Sequence, residues 1–191
     1  LVWRRRRRGA ADSWPAGSGD PRVQHGFGRI GRLVLRIAGV SSSRDDGDGR
    51  LEESSDALCT ALQLTNFWQD FGRDWRAGRL YVPREVRDAC GAAESELSAG
   101  RMTPAWADAI GACGAFTRLR FGDGRDVCAR VGGRLGLELR TTWLGGMRVL
   151  DRVERRRADL LEYRPALGAA DLVPLLWGAV RWSGAPGSDG A

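Results

Sequence analysis

The sequence predicts an all-α fold, on three observations. Apolar residues recur at intervals of three and four in several segments, which is the period of a helix with one buried face. Helix start and stop signals flank these segments, with proline near a beginning and glycine after an end. No segment shows the sustained apolar–polar alternation of a half-buried strand. With 191 residues and 42% hydrophobic content, the chain is long enough for one domain with its own core.

Helices are predicted in the first half of the chain at two main positions. Residues 28–39 are expected to form a short helix with apolar residues on one side. A central helix follows, with Ser54 or Ser55 as its N-cap, and it runs to about Trp75. Gly78 is expected to end it, because glycine readily adopts the left-handed conformation that closes a helix. A short helix and a polar connection should follow before residue 103.

Three more helices are predicted in the second half. The first opens with the Thr-Pro pair at residues 103–104, where proline suits the first helical position, and it is interrupted at residues 122–124. A glycine pair at residues 132–133 precedes a long helix over residues 134–157. A last helix starts at Asp171 and carries several leucines.

The central helix presents two different faces when its residues are placed about 100° apart. Its apolar face holds Ala57, Ala61, Leu64, Trp68, Phe71 and Trp75. Its polar face holds Gln63, Asn66, Asp70 and Asp74 within an arc about 80° wide. One helix therefore combines an aromatic side, which suits a core, with a side of amides and carboxylates, which suits a ligand.

The paired carboxylates of the polar face need a physical explanation. Asp70 and Asp74 are four residues apart, and like charges at that spacing destabilise an isolated helix by about 0.2–0.5 kcal/mol. A bridging cation reverses this effect. Mg²⁺ prefers oxygen ligands and is typically held by one or two carboxylates together with substrate phosphate. Asn66, one turn earlier, adds a neutral amide oxygen to the same face.

A solvated helix face is the simpler interpretation of two acids at this spacing, and for the bare spacing it is the favoured one. The surroundings of the acids change that balance, because a surface helix does not usually carry so many aromatic residues. These aromatic residues are Phe67, Trp68, Phe71 and Trp75. A helix that is apolar on most sides and acidic on one strip is better placed along the wall of a cavity.

The residues around the acids also resemble a known motif. Residues 62–74 (Leu-Gln-Leu-Thr-Asn-Phe-Trp-Gln-Asp-Phe-Gly-Arg-Asp) and residues 78–83 (Gly-Arg-Leu-Tyr-Val-Pro) are similar to the second aspartate-rich motif of the squalene/phytoene synthase family. The Asn-Phe-Trp-Gln-Asp run most resembles the bacterial hopanoid-pathway branch, the hydroxysqualene synthase type. Weaker similarity covers residues 30–36, 133–154 and 164–168, so most of the chain after about residue 27 is included.

The resemblance implies a terpenoid-synthase-like helical bundle and Mg²⁺-dependent chemistry on a prenyl diphosphate substrate. Asn66, Asp70 and Asp74 would be the metal ligands, with Asp70 and Asp74 as the catalytic pair. Gln63 and Asn66 would line the substrate site, and Arg79 would lie near the diphosphate. The implied activity belongs to squalene, hopanoid or other isoprenoid biosynthesis, with ionisation of farnesyl or presqualene diphosphate.

The main departure from the family pattern is that the first aspartate-rich motif is missing; in the family it should lie on a helix upstream of everything present here. The sequence therefore predicts a fold that is incomplete at the N-terminus, with a helical domain over residues 27–182. Residues 1–26 and 183–191 are expected to be disordered or, for the first stretch, foreign to the family. The alternative function is a catalytically inactive helical fragment or an interaction module built on the same scaffold.

Composition limits the other partners. The formal charge is +6, but the 30 basic residues are dispersed among 24 acids, so no one-sided nucleic-acid surface is predicted. The four cysteines lack paired spacing and there is one histidine, which argues against a zinc site. No apolar run approaches the ~20 residues of a membrane span. We expect a cytoplasmic protein and leave its oligomeric state open.

Two further alternatives concern the C-terminal part. Residues 172–182 are expected to form a core helix, with contact to the surface of the inner membrane as the alternative that a lipid substrate suggests. Arg140, Arg148 and Arg152 lie on the long helix. They are expected to form surface ion pairs with acids of the same helix, and contact with diphosphate is the alternative. The acids of that helix are Glu138, Asp151 and Glu154.

Overall fold

The computed structural model describes residues 31–33 and 49–182, and within these residues every regular element is a helix. Residues 31–33 are helical, and eight complete helices follow. They are α1 (Arg50–Gln69), α2 (Phe71–Arg76), α3 (Arg84–Cys90), α4 (Glu94–Ser98), α5 (Pro104–Asp123), α6 (Arg125–Arg130), α7 (Gly133–Arg155) and α8 (Ala169–Val180). The all-α prediction is confirmed for this part of the chain. The predictions for residues 1–26 and 183–191 lie outside the described residues.

The central helix begins earlier than predicted. Its N-cap is Gly49, whose φ of 66° lies in the left-handed region, so the prediction of Ser54 or Ser55 as N-cap is wrong. Ser54 lies inside α1 and is buried. Its hydroxyl donates to the Asp123 carbonyl (2.9 Å) and accepts from the Val127 backbone N–H (3.0 Å). The serine thus joins α1 to the junction of α5 and α6, a long-range role that its local sequence does not reveal.

The apolar face of α1 forms the centre of the core, as predicted. It packs against α5, α6 and α7. Its Trp68 and the first residue of α2, Phe71, are almost fully buried. The indole Nε1–H of Trp68 donates to the Thr117 hydroxyl of α5 (2.8 Å), so the polar atom of this buried ring is satisfied. Gly124 brings the backbone between α5 and α6 against Leu58, where a Cβ would lie 2.8 Å from the Leu58 backbone nitrogen.

The remaining helix boundaries follow the predicted signals with small differences. Thr103 is the N-cap of α5 and Pro104 occupies its first turn, as expected. The region from residue 84 to residue 102 holds two short helices, α3 and α4, where one was predicted. The glycine pair before α7 provides its N-cap and a first residue with φ of 61°.

The last helix, α8, has one buried side and one exposed side, so the prediction of a core helix is wrong for half of its surface. Asp171, Leu175 and Ala179 face α7 and are buried. The exposed side, called here the α8 outer face, consists of Leu172, Val173, Leu176, Trp177 and Val180, each more than half exposed. Helical period alone does not say which side of an apolar helix has a neighbour. Among the described residues, no helix combines the length and the hydropathy that a membrane span requires.

A buried carboxylate fixes α8 on α7. Asp171 accepts from Arg148 Nε (2.7 Å), from an Arg152 Nη (2.6 Å) and from the Gly168 backbone N–H (2.7 Å). The expected pairing of these arginines with acids of their own helix is therefore wrong. Asp151 and Glu154 of α7 instead share Arg118 of α5, at 2.7 and 2.5 Å, because acids on that side of α7 face α5. The third arginine, Arg140, donates to the backbone carbonyls of Cys128 (2.9 Å) and Val131 (3.4 Å).

Candidate functional site

The predicted polar face is one continuous helical surface, although Asp70 separates α1 from α2. The Asp70 N–H donates to the Asn66 carbonyl and the Asp74 N–H donates to the Asp70 carbonyl, both at 2.9 Å. These are the i to i−4 bonds of an α-helix, so the three side chains project one turn apart on the same side. The predicted helix to Trp75 therefore continues along one path, but it is divided into two helices at Asp70, whose φ of −94° and ψ of 11° depart from regular helix geometry.

The polar face is accessible rather than enclosed within the described residues. Asn66 is exposed, and Gln63, about one turn earlier, is half-buried. The side chain of Asp70 is 29% exposed and that of Asp74 is 14% exposed. The face therefore combines partly buried carboxylates with an open approach from solvent.

Arg79 lies beside Asp74, held there by the turn that ends α2. Its Nε and one Nη donate to Asp74 Oδ1 at 3.0 and 2.6 Å, and this interaction raises the pKa of the guanidinium. Gly78, with φ of 72°, reverses the chain, and the Arg79 backbone N–H donates to the Asp74 carbonyl (2.8 Å). The Phe67 and Tyr81 rings stack at 4.0 Å between centroids, which fixes the following segment on α1. Two predicted site residues are thus brought together.

Asp70 is paired with arginines that the sequence did not single out. Arg164, 94 residues later, donates from Nε to Asp70 Oδ1, and Arg73 Nη1 lies 3.5 Å from the same oxygen. The polar face therefore carries two carboxylates and three guanidinium groups, counting Arg79. Such a surface can bind a cation through its acids and an anion through its arginines.

Residues 156–168, called here the α7–α8 loop, are fixed on a side of α1 and α2 next to the polar face. Gln69 Nε2 donates to the Pro165 carbonyl (2.6 Å), and Arg76 donates to the Leu161 carbonyl. Between these bonds the loop backbone crosses Gly72, where a Cβ would lie 2.6 Å from the Leu160 carbonyl oxygen and closer still to that of Leu161. Only glycine permits this approach, and it determines the position from which Arg164 reaches Asp70.

A cleft of about 540 Å³ opens on another side of this loop. Its lining includes Met102, Arg156, Asp159, Leu161 and Tyr163, with Arg156 lying over the Tyr163 ring at 4.9 Å from its centroid. None of the five predicted site residues lines this cleft. The cleft and the polar face share the α7–α8 loop but are separate surfaces.

Comparison with known proteins identifies the family. The squalene/phytoene synthase profile matches residues 24–171. The chain belongs to the squalene/phytoene synthase family. It is 33% identical to the hydroxysqualene synthase of Rhodopseudomonas palustris over 153 residues. This match covers 79% of this chain and 49% of that protein. It is also 35% identical to the phytoene synthase of Thermus thermophilus over 79 residues. This second match covers 41% of this chain and 25% of that protein.

A solved structure of a squalene synthase has a similar fold over the matched part. The crystal structure of squalene synthase HpnC from Alicyclobacillus acidocaldarius superposes with a TM-score of 0.64 at 33% identity, covering 71% of this chain and 49% of that one. The expected terpenoid-synthase-like helical fold is thereby confirmed. The chain spans about half the length of the hydroxysqualene synthase and of the squalene synthase it matches.

The squalene/phytoene synthase family generally depends on a divalent metal. The donor set of the polar face is chemically suited to Mg²⁺. It consists of oxygens from two carboxylates and one amide on one side of a helix, Asp70, Asp74 and Asn66. Within residues 31–33 and 49–182, no group of three or more His, Cys, Asp or Glu side chains is placed to hold a metal ion by itself. Two carboxylates are nevertheless the usual protein contribution where phosphate and water complete the Mg²⁺ coordination. The residues therefore fit this metal.

Sequence reasoning missed several residues that shape the site in this squalene/phytoene synthase family member. Arg164 stands at the start of the resembling segment 164–168, but nothing local indicates that it reaches Asp70. Gly72 carried a usable signal, because a glycine inside a helical pattern often marks a close backbone approach. Gln69 carried a weaker one, as a polar residue among the aromatics of α1.

Proposed function

We propose that this chain supplies the aspartate-rich face for Mg²⁺-dependent ionisation of a prenyl diphosphate, farnesyl or presqualene diphosphate, in squalene or hopanoid biosynthesis. The observation that carries the proposal is the placement of Asn66, Asp70 and Asp74 on one side of a helix whose other side is buried core. The names of the relatives, hydroxysqualene synthase and phytoene synthase, support the same chemistry.

The proposed roles follow from charge. Bound Mg²⁺ would supply Lewis-acid neutralisation of the diphosphate oxygens, which makes diphosphate a better leaving group. Asp70 and Asp74 would hold the metal through carboxylate oxygens, with the amide oxygen of Asn66 as a neutral donor. Arg79 would bind diphosphate oxygens directly, and Gln63 would contact the substrate at the start of the same face. The arginines near the acids would keep the negative leaving group in place once it separates.

Diphosphate release tests this proposal. The chain is incubated with farnesyl or presqualene diphosphate, with Mg²⁺ or with a chelator, and released pyrophosphate is measured. We expect release only with Mg²⁺, and loss of at least 100-fold in D70N and D74N, the order seen when an electrostatic stabiliser is removed. D108N is the matched control, because Asp108 is a largely exposed acid of α5 whose ion pair with Arg157 is long, at 4.0 Å. Equal release by D70N and wild type would contradict the metal role.

The alternative is a helical module without catalysis, and one observation favours it. Both carboxylates of the polar face are already paired with guanidinium groups, Asp74 with Arg79 and Asp70 with Arg164. If these pairs are structural, D70N and D74N lower the unfolding temperature and Mg²⁺ does not raise it. If the catalytic proposal holds, saturating Mg²⁺ raises the unfolding temperature of the wild type and leaves that of D70N unchanged.

The proposal includes contact of the α8 outer face with a lipid surface, which suits a prenyl substrate. Trp177, 61% exposed, carries the Arg181 guanidinium 5.0 Å from its ring centroid, a combination of aromatic and cation that favours a membrane interface. Co-sedimentation with anionic phospholipid vesicles tests it. W177S is expected to reduce vesicle binding, whereas L119S, at a 55% exposed leucine of α5, is not. Equal binding by W177S and wild type would exclude this contact.

A further inference from the structure

Arg164 and Asp70 form an ion pair at the centre of the polar face. Arg164 Nε donates to Asp70 Oδ1, which lies at the position proposed for a metal ligand. The Arg164 side chain is 41% exposed and the Asp70 side chain 29% exposed, so both remain open to solvent. Arg73 Nη1 lies 3.5 Å from the same oxygen. Cationic nitrogens therefore lie against the carboxylate oxygen that a metal ion would need.

The backbone that carries Arg164 is held more firmly than its side chain. The next residue, Pro165, is buried, and its carbonyl accepts the 2.6 Å hydrogen bond from Gln69. Upstream, Leu160 is 2% exposed and its carbonyl lies against Gly72. The chain is thus fixed on both sides of Arg164, while the guanidinium itself reaches out over the accessible face. A rotation of this side chain needs no movement of the loop.

A divalent cation and a guanidinium compete for the same carboxylate oxygen. When Mg²⁺ binds Asp70, the charge of Arg164 is repelled from its position, and Arg73 and Arg79 oppose its move along the face. The nearest new partner is the diphosphate that binds the same metal. Guanidinium forms two parallel hydrogen bonds with phosphate oxygens, so the exchange replaces one charge-assisted pair by a stronger one.

We propose that Arg164 is a positioning residue that changes partner: it holds Asp70 in the metal-free protein and passes to the substrate diphosphate when metal binds. The proposal rests on the proposed function, because it takes Asp70 as a metal ligand. It makes two predictions of opposite sign. Removing Arg164 should strengthen binding of metal alone, since a competitor is lost, and should weaken binding of the metal–diphosphate complex, since a ligand is lost.

Two binding measurements on the full 191-residue chain test this exchange. Mn²⁺ affinity is measured by electron paramagnetic resonance, and magnesium pyrophosphate affinity by titration calorimetry in excess Mg²⁺. For R164Q we expect Mn²⁺ to bind about tenfold more tightly and magnesium pyrophosphate about tenfold more weakly, a size typical for partners of metal ligands. The matched control is R134Q, which removes the same charge from an exposed pair with Glu138 (2.8 Å) on α7 and should change neither affinity.

R164K separates charge from geometry. Lysine keeps the positive charge but lacks the planar fork, so Mn²⁺ affinity should stay within about twofold of wild type while magnesium pyrophosphate binds more weakly. If R164Q loses helicity by circular dichroism, R164K decides alone: weaker pyrophosphate binding with unchanged Mn²⁺ affinity supports the exchange, and two unchanged affinities overturn it.

The outcomes also separate this inference from the proposed function. If Mn²⁺ binds in a way that D70N abolishes, but R164Q binds Mn²⁺ and magnesium pyrophosphate like wild type, the exchange is overturned and the metal site stands. If neither wild type nor R164Q binds Mn²⁺ through Asp70, both are overturned. Weaker binding of both ligands by folded R164Q points to a purely structural arginine and also overturns the exchange.

Discussion

Gly72 lies directly beneath the carbonyl oxygen of Leu161, so close that no Cβ atom fits between them. Gly72 lies between the two acids of the polar face, and Leu161 belongs to the α7–α8 loop, which carries Arg164. Their contact therefore links the helix of the acids to this loop. The contact is reinforced by Arg76, which donates to the same Leu161 carbonyl. The geometry of the site therefore depends on a glycine that has no functional group.

Replacing Gly72 by alanine is expected to destabilise the protein by about 1–3 kcal/mol, because the added methyl group overpacks a backbone contact that cannot yield easily. Urea unfolding followed by circular dichroism measures this change. The same substitution should also weaken binding of magnesium pyrophosphate, since the loop that places Arg164 must shift.

Gly122 provides the matched control for that substitution. It lies near the end of α5, and a Cβ there would meet no atom within 4 Å. G122A should be neutral or stabilising by up to about 1 kcal/mol, as alanine is the better helix former. Equal unfolding free energies for G72A and G122A would show that the α7–α8 loop does not pack closely against Gly72.

The hydrogen bond between Trp68 and Thr117 allows a second stability test. Both side chains are buried, and the Thr117 hydroxyl also donates to the Cys113 carbonyl (2.8 Å). T117V keeps the shape but removes the acceptor of the indole N–H, and we expect a loss of about 1–3 kcal/mol in the free energy of unfolding. T141V is the control, because that half-buried hydroxyl donates only within its own helix turn, to Leu137. A smaller loss in T117V than in T141V would contradict this assignment.

Local periodicity explains what the sequence predicted well. The apolar face of α1 and the Thr103–Pro104 start of α5 depend on neighbours within a few residues, and both agree with the structure. The N-cap prediction for Ser54 is wrong because serine is a common N-cap, whereas here the partners of its hydroxyl come from residues 123 and 127.

The rest could not be predicted because it depends on contacts between distant segments. Arg164 pairs with Asp70, 94 residues earlier. Asp171 accepts hydrogen bonds from Arg152 and Arg148, which lie 19 and 23 residues earlier. No periodicity encodes such pairs. The burial of α8 could not be predicted for the same reason. Its leucines predict an apolar helix, but they do not indicate which side of the helix packs against a neighbour.

The four cysteines should differ in reactivity. Burial raises the pKa of Cys128 to about 12 and also raises the pKa of Cys113, so neither forms a reactive thiolate near neutral pH. Cys59 and Cys90 are only partly buried. We expect N-ethylmaleimide to modify Cys90 and Cys59 first in the folded protein, as read by mass spectrometry of peptides. Labelling in urea is the control and should reach all four. Early modification of Cys128 without urea would contradict the packing of α6 against α7.

The Asp171 cluster makes stability depend on acid. The Gly168 N–H and then the Arg152 guanidinium lower the pKa of Asp171 below its usual 3.8. A lowered pKa in the folded state stabilises the protein fully above the unfolded value of about 3.9, and the contribution is lost as pH falls through the folded value. The urea midpoint should therefore fall on acidification below about pH 4, partly through this group.

D171N isolates that contribution. It removes the charge that Arg148 and Arg152 share, so the urea midpoint should be lower than wild type at neutral pH. On acidification its midpoint should fall less than that of wild type, and the two curves should converge, because the protonated wild-type carboxyl resembles the amide. D108N, at an acid with a 70% exposed side chain, should follow the wild-type curve throughout. Parallel curves for D171N and wild type would mean that the carboxylate charge is not what holds α8 on α7.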